Sequence, residues 1–68
     1  MSAGDELPCV LLWCEYSRAH FVWLERIWNE SPESWEKTGR RLIARAPMNT
    51  CQALRELLEQ QRRNEYAN

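Results

Sequence analysis

The most regular pattern of apolar positions lies in the last third of the chain. Apolar residues recur there at three- and four-residue intervals, at Cys51, Leu54, Leu57 and Leu58. This spacing places side chains on one face of an α-helix. Asn49 or Thr50 can cap the first turn, and Pro47 ends the preceding element. The pattern predicts a helix from Thr50 to about Asn64.

The middle segment opens on a helix-start signal at Ser31-Pro32, since serine caps helices and proline is preorganised at the first helical position. Apolar and small residues then recur at helical spacing, which predicts a second helix from Pro32 to Arg45. Gly39 argues against it, because glycine inside a helix costs up to about 1 kcal/mol relative to alanine. Residues 37–39 can instead form a hairpin turn with glycine in the left-handed position, and residues 40–46 are then a strand.

The first half of the chain supports two interpretations. Ser17 can cap a Trp-rich helix through Asn29, although its apolar positions extend almost around the whole circumference. Residues 9–13 form a short apolar run that fits either the first turns of a helix or a buried strand, and periodicity cannot decide at that length. We favour helix here, because the chain has only two glycines and no Asn-Gly or Asp-Gly hairpin signal.

These elements together predict a mostly α, small three-helix single domain. The 68 residues form one domain, and residues 1–6 and 65–68 are expected to be frayed tails. The alternative is a small α+β domain, in which two or three short antiparallel strands are backed by the C-terminal helix.

Tryptophan is unusually dense in the first half of the chain. The four tryptophans, which fall within one short stretch, are Trp13, Trp23, Trp28 and Trp35. A domain of this size can bury two or three of them, so one or two should be exposed or covered by another chain. Because tryptophan also concentrates at interface hot spots, we predict that these four residues bind a partner.

Charge is divided unevenly along the chain. Residues 1–36 contain seven acids and two bases, and residues 37–68 contain seven bases and three acids, so the net charge of −1 conceals a dipolar chain. Because the two halves carry opposite net charge, two copies of the chain can dock in a self-complementary way, and we expect a homodimer. On a helix, Arg40, Arg41 and Arg45 form a basic edge that binds a partner.

Few residues suggest chemistry. Cysteine and histidine are zinc ligands, and the chain has these at Cys9, Cys14, His20 and Cys51. His20 and Cys51 are 31 residues apart, unlike the close ligand pairs of structural zinc sites, so we expect buried thiols and no metal or cofactor. The only histidine lies in the acidic half and no glycine-rich loop is present, so we predict no catalytic residues.

The predicted function is therefore that of a non-enzymatic protein-interaction module, a small regulator or inhibitor that binds a larger protein through Trp and Arg anchors. The alternative is a small dimeric nucleic-acid-binding regulator that uses Arg40, Arg41 and Arg45. Clustering of these with Arg62 and Arg63 on one exposed face, away from carboxylates, favours nucleic acid. Dispersal or pairing with glutamate favours protein. An odd number of cysteines and no targeting or membrane segment indicate a cytoplasmic protein.

Overall fold

Three strands and three helices make up residues 6–67, the part of the chain that the computed structural model describes. The strands are β1 (Pro8–Cys14), β2 (Ala19–Leu24) and β3 (Arg40–Pro47). They form one antiparallel sheet in the order β2-β1-β3. The helices are α1 (Glu25–Glu30), α2 (Pro32–Lys37) and α3 (Met48–Ala67). The fold is therefore α+β.

The prediction of a three-helix domain is wrong, and the alternative of a small antiparallel sheet with a C-terminal helix is the architecture observed. The helix expected from Ser17 to Asn29 is a turn at residues 17–18 and a strand over Ala19–Leu24, and only Glu25–Glu30 is helical. Its β-branched and aromatic residues suit a pleated surface. The apolar positions seemed to surround a helix because β2 packs side chains on both of its faces, with Val22 on one face and Trp23 on the other.

The helix predicted from Pro32 to Arg45 is also wrong beyond Lys37. It begins as expected at Pro32, with the α2 N-cap at Ser31. Gly39 then has a φ of +87°, in the left-handed region that glycine enters without steric cost. The chain turns there and continues as β3, so the left-handed glycine and the strand after it are confirmed, but the turn follows a helix that includes Lys37 and is not a hairpin.

Strand β1 lies at the centre of the sheet and is buried on both faces. Cys9 and Leu11 pack against α3, and Val10 and Leu12 pack against Trp28 of α1. All four β1 side chains are at most 1% exposed. A strand covered on both sides has a continuous apolar sequence without the alternation of a half-exposed strand. The run at residues 9–13 therefore could not be assigned from its period.

The C-terminal helix prediction is confirmed, because α3 spans Met48–Ala67 and packs Cys51 and Leu54 on the sheet. Of the predicted tails, residues 65–67 belong to α3, whereas residues 1–5 and 68 lie outside the described residues. Within residues 6–67, no helix combines the length and apolar character needed to cross a membrane.

The turn at Gly39 gives a stability prediction. Gly39→Ala should lower the free energy of unfolding by about 1–2 kcal/mol, because an L-residue is strained at positive φ. A Cβ there also lies 2.7 Å from the Tyr16 ring, but Tyr16 is 80% exposed and can move away. D-alanine, introduced by chemical synthesis, is the matched control because it tolerates positive φ. In urea denaturation, the proteins with glycine and with D-alanine at this position should be equally stable, and both should be more stable than the protein with L-alanine. Equal stability of the two alanine forms would contradict the prediction.

Candidate interaction surfaces

The tryptophans predicted to bind a partner are mostly packed inside the domain. Trp28 is 2% exposed and lies in the core, and the other three are half-buried. The rings of Trp23 and Trp35 meet edge to face with centroids 4.9 Å apart, and Trp13 lies 4.8 Å from the His20 ring. None of the four is among the large exposed apolar residues of the described chain. Their partner-binding role stays a prediction.

Arg40 is held by this aromatic layer. Its guanidinium lies 5.1 Å from the ring centroid of Trp23 and 5.5 Å from that of Trp35, within the range of cation–π attraction. Its Nη1 also donates to the hydroxyl of Thr38 at 2.6 Å, and Trp35 Nε1 donates to the carbonyl of Ile27 at 3.2 Å. Arg40 therefore stabilises the packing of α2 on the sheet.

A bulge in β3 separates the other two arginines of the predicted basic edge. The register places Arg41 opposite Trp13 on the α3 face and Arg45 opposite Val10 on the α1 face, with Ile43 as the extra residue between them. On the α1 face, Arg45 Nη1 lies 3.3 Å from Glu25 Oε2. The basic edge expected from helical spacing is therefore not formed, because the segment is a bulged strand.

A charged network joins α3 to the open end of β2. Glu59 Oε2 lies 2.6 Å from His20 Nδ1 and accepts the main-chain N–H of His20 at 3.2 Å. Glu59 Oε1 accepts Arg62 Nη2 at 2.6 Å, and the Arg62 guanidinium stacks over Trp13 at 5.9 Å. The hydrogen bonds from Arg62 and His20 lower the pKa of Glu59 from 4.5 to about 2. This network fixes the C-terminal half of α3 on the sheet.

The three cysteines are free thiols with different surroundings. Cys9 and Cys51 share the core between β1 and α3, and burial raises the pKa of both. Cys14 belongs to the other face of β1, where hydrogen bonds from the Ser17 main chain and hydroxyl lower its pKa. His20 is engaged by Glu59 instead of a cysteine. Residues 6–67 contain no group of three or more candidate metal ligands.

The large exposed apolar side chains are not among the residues predicted to bind a partner. Six large apolar residues of the described chain are exposed, namely Leu7, Tyr16, Phe21, Ile27, Ile43 and Leu57. Leu57 belongs to the predicted apolar stripe of α3, yet it is 59% exposed. It is two residues from both Arg55 and Glu59, which reach β2, and therefore lies on the opposite flank of the helix. In the strand interpretation of residues 40–46, alternation with Leu42 and Ala44 indicates that Ile43 is exposed.

Comparison with protein-family models, curated proteins and solved structures gives no match for this chain. Its function therefore has to be inferred from its own residues. The described surface offers two free sheet edges, β2 and β3, and their side chains differ in charge.

The pKa of Glu59 predicts how stability depends on pH. A folded pKa of about 2 against 4.5 means that the stabilisation is complete above pH 4.5 and is lost as the pH falls towards 2. Glu59→Gln should therefore lower the free energy of unfolding at neutral pH by about 2 kcal/mol, and this difference should vanish near pH 2. Chemical denaturation across this pH range measures the difference.

The matched control is Glu56→Gln on the same helix, since Glu56 is exposed and forms no ion pair with other described residues. It should leave the pH dependence of stability unchanged. A Glu59→Gln difference that stays constant from neutral pH to pH 2 would show that the charge of Glu59 does not stabilise the fold.

Proposed function

We propose that this chain is a non-enzymatic protein-interaction module, a small regulator or inhibitor that binds a segment of a larger protein. The observation that carries the proposal is a surface on β3 and α3 formed by Arg41, Ile43 and Leu57, which we call the β3–α3 surface. Arg41 is exposed and has no ion pair among residues 6–67, while Ile43 and Leu57 are 45% and 59% exposed.

The three residues lie on one side of the domain. Arg41 pairs with Trp13 on the α3 face of the sheet, and Ile43, the extra residue of the bulge, lies beside Ala44, which packs on the same face. On α3, Arg55 and Glu59 reach His20 of β2. Leu57 therefore occupies the opposite flank of the helix, towards β3. An exposed cation beside two apolar side chains matches a partner segment with apolar residues and a carboxylate.

The distribution of arginines supports a protein partner over a nucleic acid. Arg40 is stacked on tryptophans, Arg45 pairs with Glu25, and Arg62 pairs with Glu59. This is the dispersal and pairing with glutamate that favours a protein partner. A continuous row of free cations, as a phosphate backbone requires, is not present among these residues.

Carboxylates beside Arg41 support the same choice. An open depression of about 260 Å³ is lined by Trp13, Glu15, Glu36, Gly39, Arg40 and Arg41. A polyanion that approached Arg41 would meet Glu15 and Glu36 next to it. A protein segment can instead place one carboxylate at Arg41 and donors at the two glutamates. The alternative, a dimeric nucleic-acid-binding regulator that uses Arg40, Arg41 and Arg45, remains the second candidate.

The free thiols support action in a reducing compartment such as the cytoplasm, where cysteines stay unpaired. The half-buried Trp13 borders the depression beside Arg41 and is the tryptophan best placed to contact the same partner. Trp28, at 2% exposure, acts on a partner only by supporting the sheet.

Binding assays on single variants of the β3–α3 surface test this proposal. A partner captured by the immobilised wild-type protein should bind Arg41→Glu and Ile43→Asp at least about tenfold more weakly, which corresponds to about 1.4 kcal/mol. Isothermal titration or surface plasmon resonance with the purified partner measures the change. The loss should reside mainly in faster dissociation.

Two matched controls carry the same changes elsewhere on the surface. Arg63→Glu reverses an exposed charge on α3, and Leu7→Asp replaces an apolar residue of similar exposure, 44%, before β1. Both should bind like wild type. Tight duplex DNA binding that is lost in Arg41→Glu, with a salt slope of about −0.9 per phosphate, would support the nucleic-acid alternative instead.

A further inference from the structure

The two edges of the sheet differ in their protection against pairing with another strand. Natural sheets block edge pairing with charges, prolines and bulges. Strand β3 has all three, with arginines at 40, 41 and 45, Pro47, and the bulge at Ile43. Strand β2 has the sequence Ala-His-Phe-Val-Trp-Leu, with no Lys, Arg, Asp, Glu, Pro or Gly, and its register with β1 is unbroken.

The main chain of β2 shows which groups point away from β1. The N–H of His20 donates to Glu59, and its carbonyl accepts Arg55 Nε at 2.9 Å. Both groups therefore face the open edge. In an antiparallel ladder, the main-chain N–H and C=O groups of every second residue point to the same side. The main-chain groups of Val22 and the N–H of Leu24 therefore also face the open edge. No side chain of the described residues reaches the main-chain groups of Val22, in contrast to His20.

We propose that the open edge of β2 binds β2 of a second copy of this chain, antiparallel, with the two-fold axis at Val22. Val22 then exchanges two N–H···O=C bonds with Val22 of the other copy. The N–H of Leu24 donates to the carbonyl of His20 across the interface, which can accept Arg55 as well through its second lone pair. The joined sheets have six strands.

In this register, two main-chain groups at the edge of β2 form no bond to the other copy, because each is already hydrogen-bonded within its own chain. The N–H of His20 is held by Glu59. The carbonyl of Leu24, as the N-cap of α1, accepts the first hydrogen bond of that helix. These two groups would face each other in the paired strands, and the bond between them is absent from the register because each already has a partner within its own chain.

Side chains on both faces of the sheet suit this pairing. On the α1 face the register sets Phe21, 37% exposed, directly opposite the half-buried Trp23 of the other copy, and aromatic cross-strand pairs stabilise sheets. On the α3 face, the outer surface beside this edge has two bases and two acids, at Arg55, Glu56, Glu59 and Arg63. It is electrically neutral, so a second copy meets no net like charge there. If β3 paired with β3 of a second copy in the same way, arginine side chains of the two copies would lie opposite one another.

Sedimentation equilibrium of the wild type and two edge variants tests the proposal. The wild type should form a dimer. Phe21→Lys puts like charges near the two-fold axis and should raise the dimer dissociation constant at least about tenfold. Ile43→Lys is the matched control, because it makes the same change on the β3 edge, and its dissociation constant should equal that of the wild type.

A second variant keeps every side chain. N-methylation of the Val22 amide, introduced by chemical synthesis, removes only the outward N–H and should give a monomer with an unchanged circular dichroism spectrum. Either of two results would overturn the proposal: a wild type that stays monomeric up to its solubility limit, or a dimer that persists in both Phe21→Lys and the N-methyl protein. The second result would place self-association on another surface, and neither result affects the partner-binding test at Arg41 and Ile43.

Discussion

Burial of β1 on both faces is the constraint on which the rest of this structure depends. Residues 9–12 are almost completely inaccessible, and β2 and β3 flank them on either side. A central strand of this kind needs an apolar layer on each face. One layer is α3, a 20-residue helix, and the other consists of the short helices α1 and α2, of six residues each. So short a layer needs large side chains, which are Trp28 of α1 and Trp35 of α2, and Trp23 of β2 packs with them from the sheet.

The same constraint explains why side chains that suggest an interface are mostly used within the domain. Arg40 covers the tryptophan layer, Arg45 ties β3 to α1, and Arg62 joins α3 to Trp13. Each of these cations holds a covering element on the sheet. What remains for partners are residues that the layers do not reach, namely the bulge of β3 with Arg41 and the edge of β2.

Local signals in the sequence were sufficient for α3, for the start of α2 at Ser31-Pro32 and for the turn at Gly39, because each depends on residues close together in the chain. They were insufficient for β1, since a strand buried on both faces has no period, and for β2, whose apolar residues fit a helix as well as a strand. The prediction that Arg40, Arg41 and Arg45 share one face was wrong because it assumed that this segment is a helix. The bulge that moves Arg41 and Arg45 to opposite faces depends on pairing with β1, and no signal within residues 40–47 indicates it.

Native-state hydrogen exchange at the amides of Val10, Leu11 and Leu12 tests the central claim most directly. If β1 is the centre of the fold, these amides exchange only when the whole domain unfolds, with the free energy and denaturant dependence of global unfolding. They should be the slowest amides in the chain, together with those of α3 near Cys51 that pack on the same strand. Exchange of the β1 amides through local fluctuations, faster than that of α3, would contradict this account.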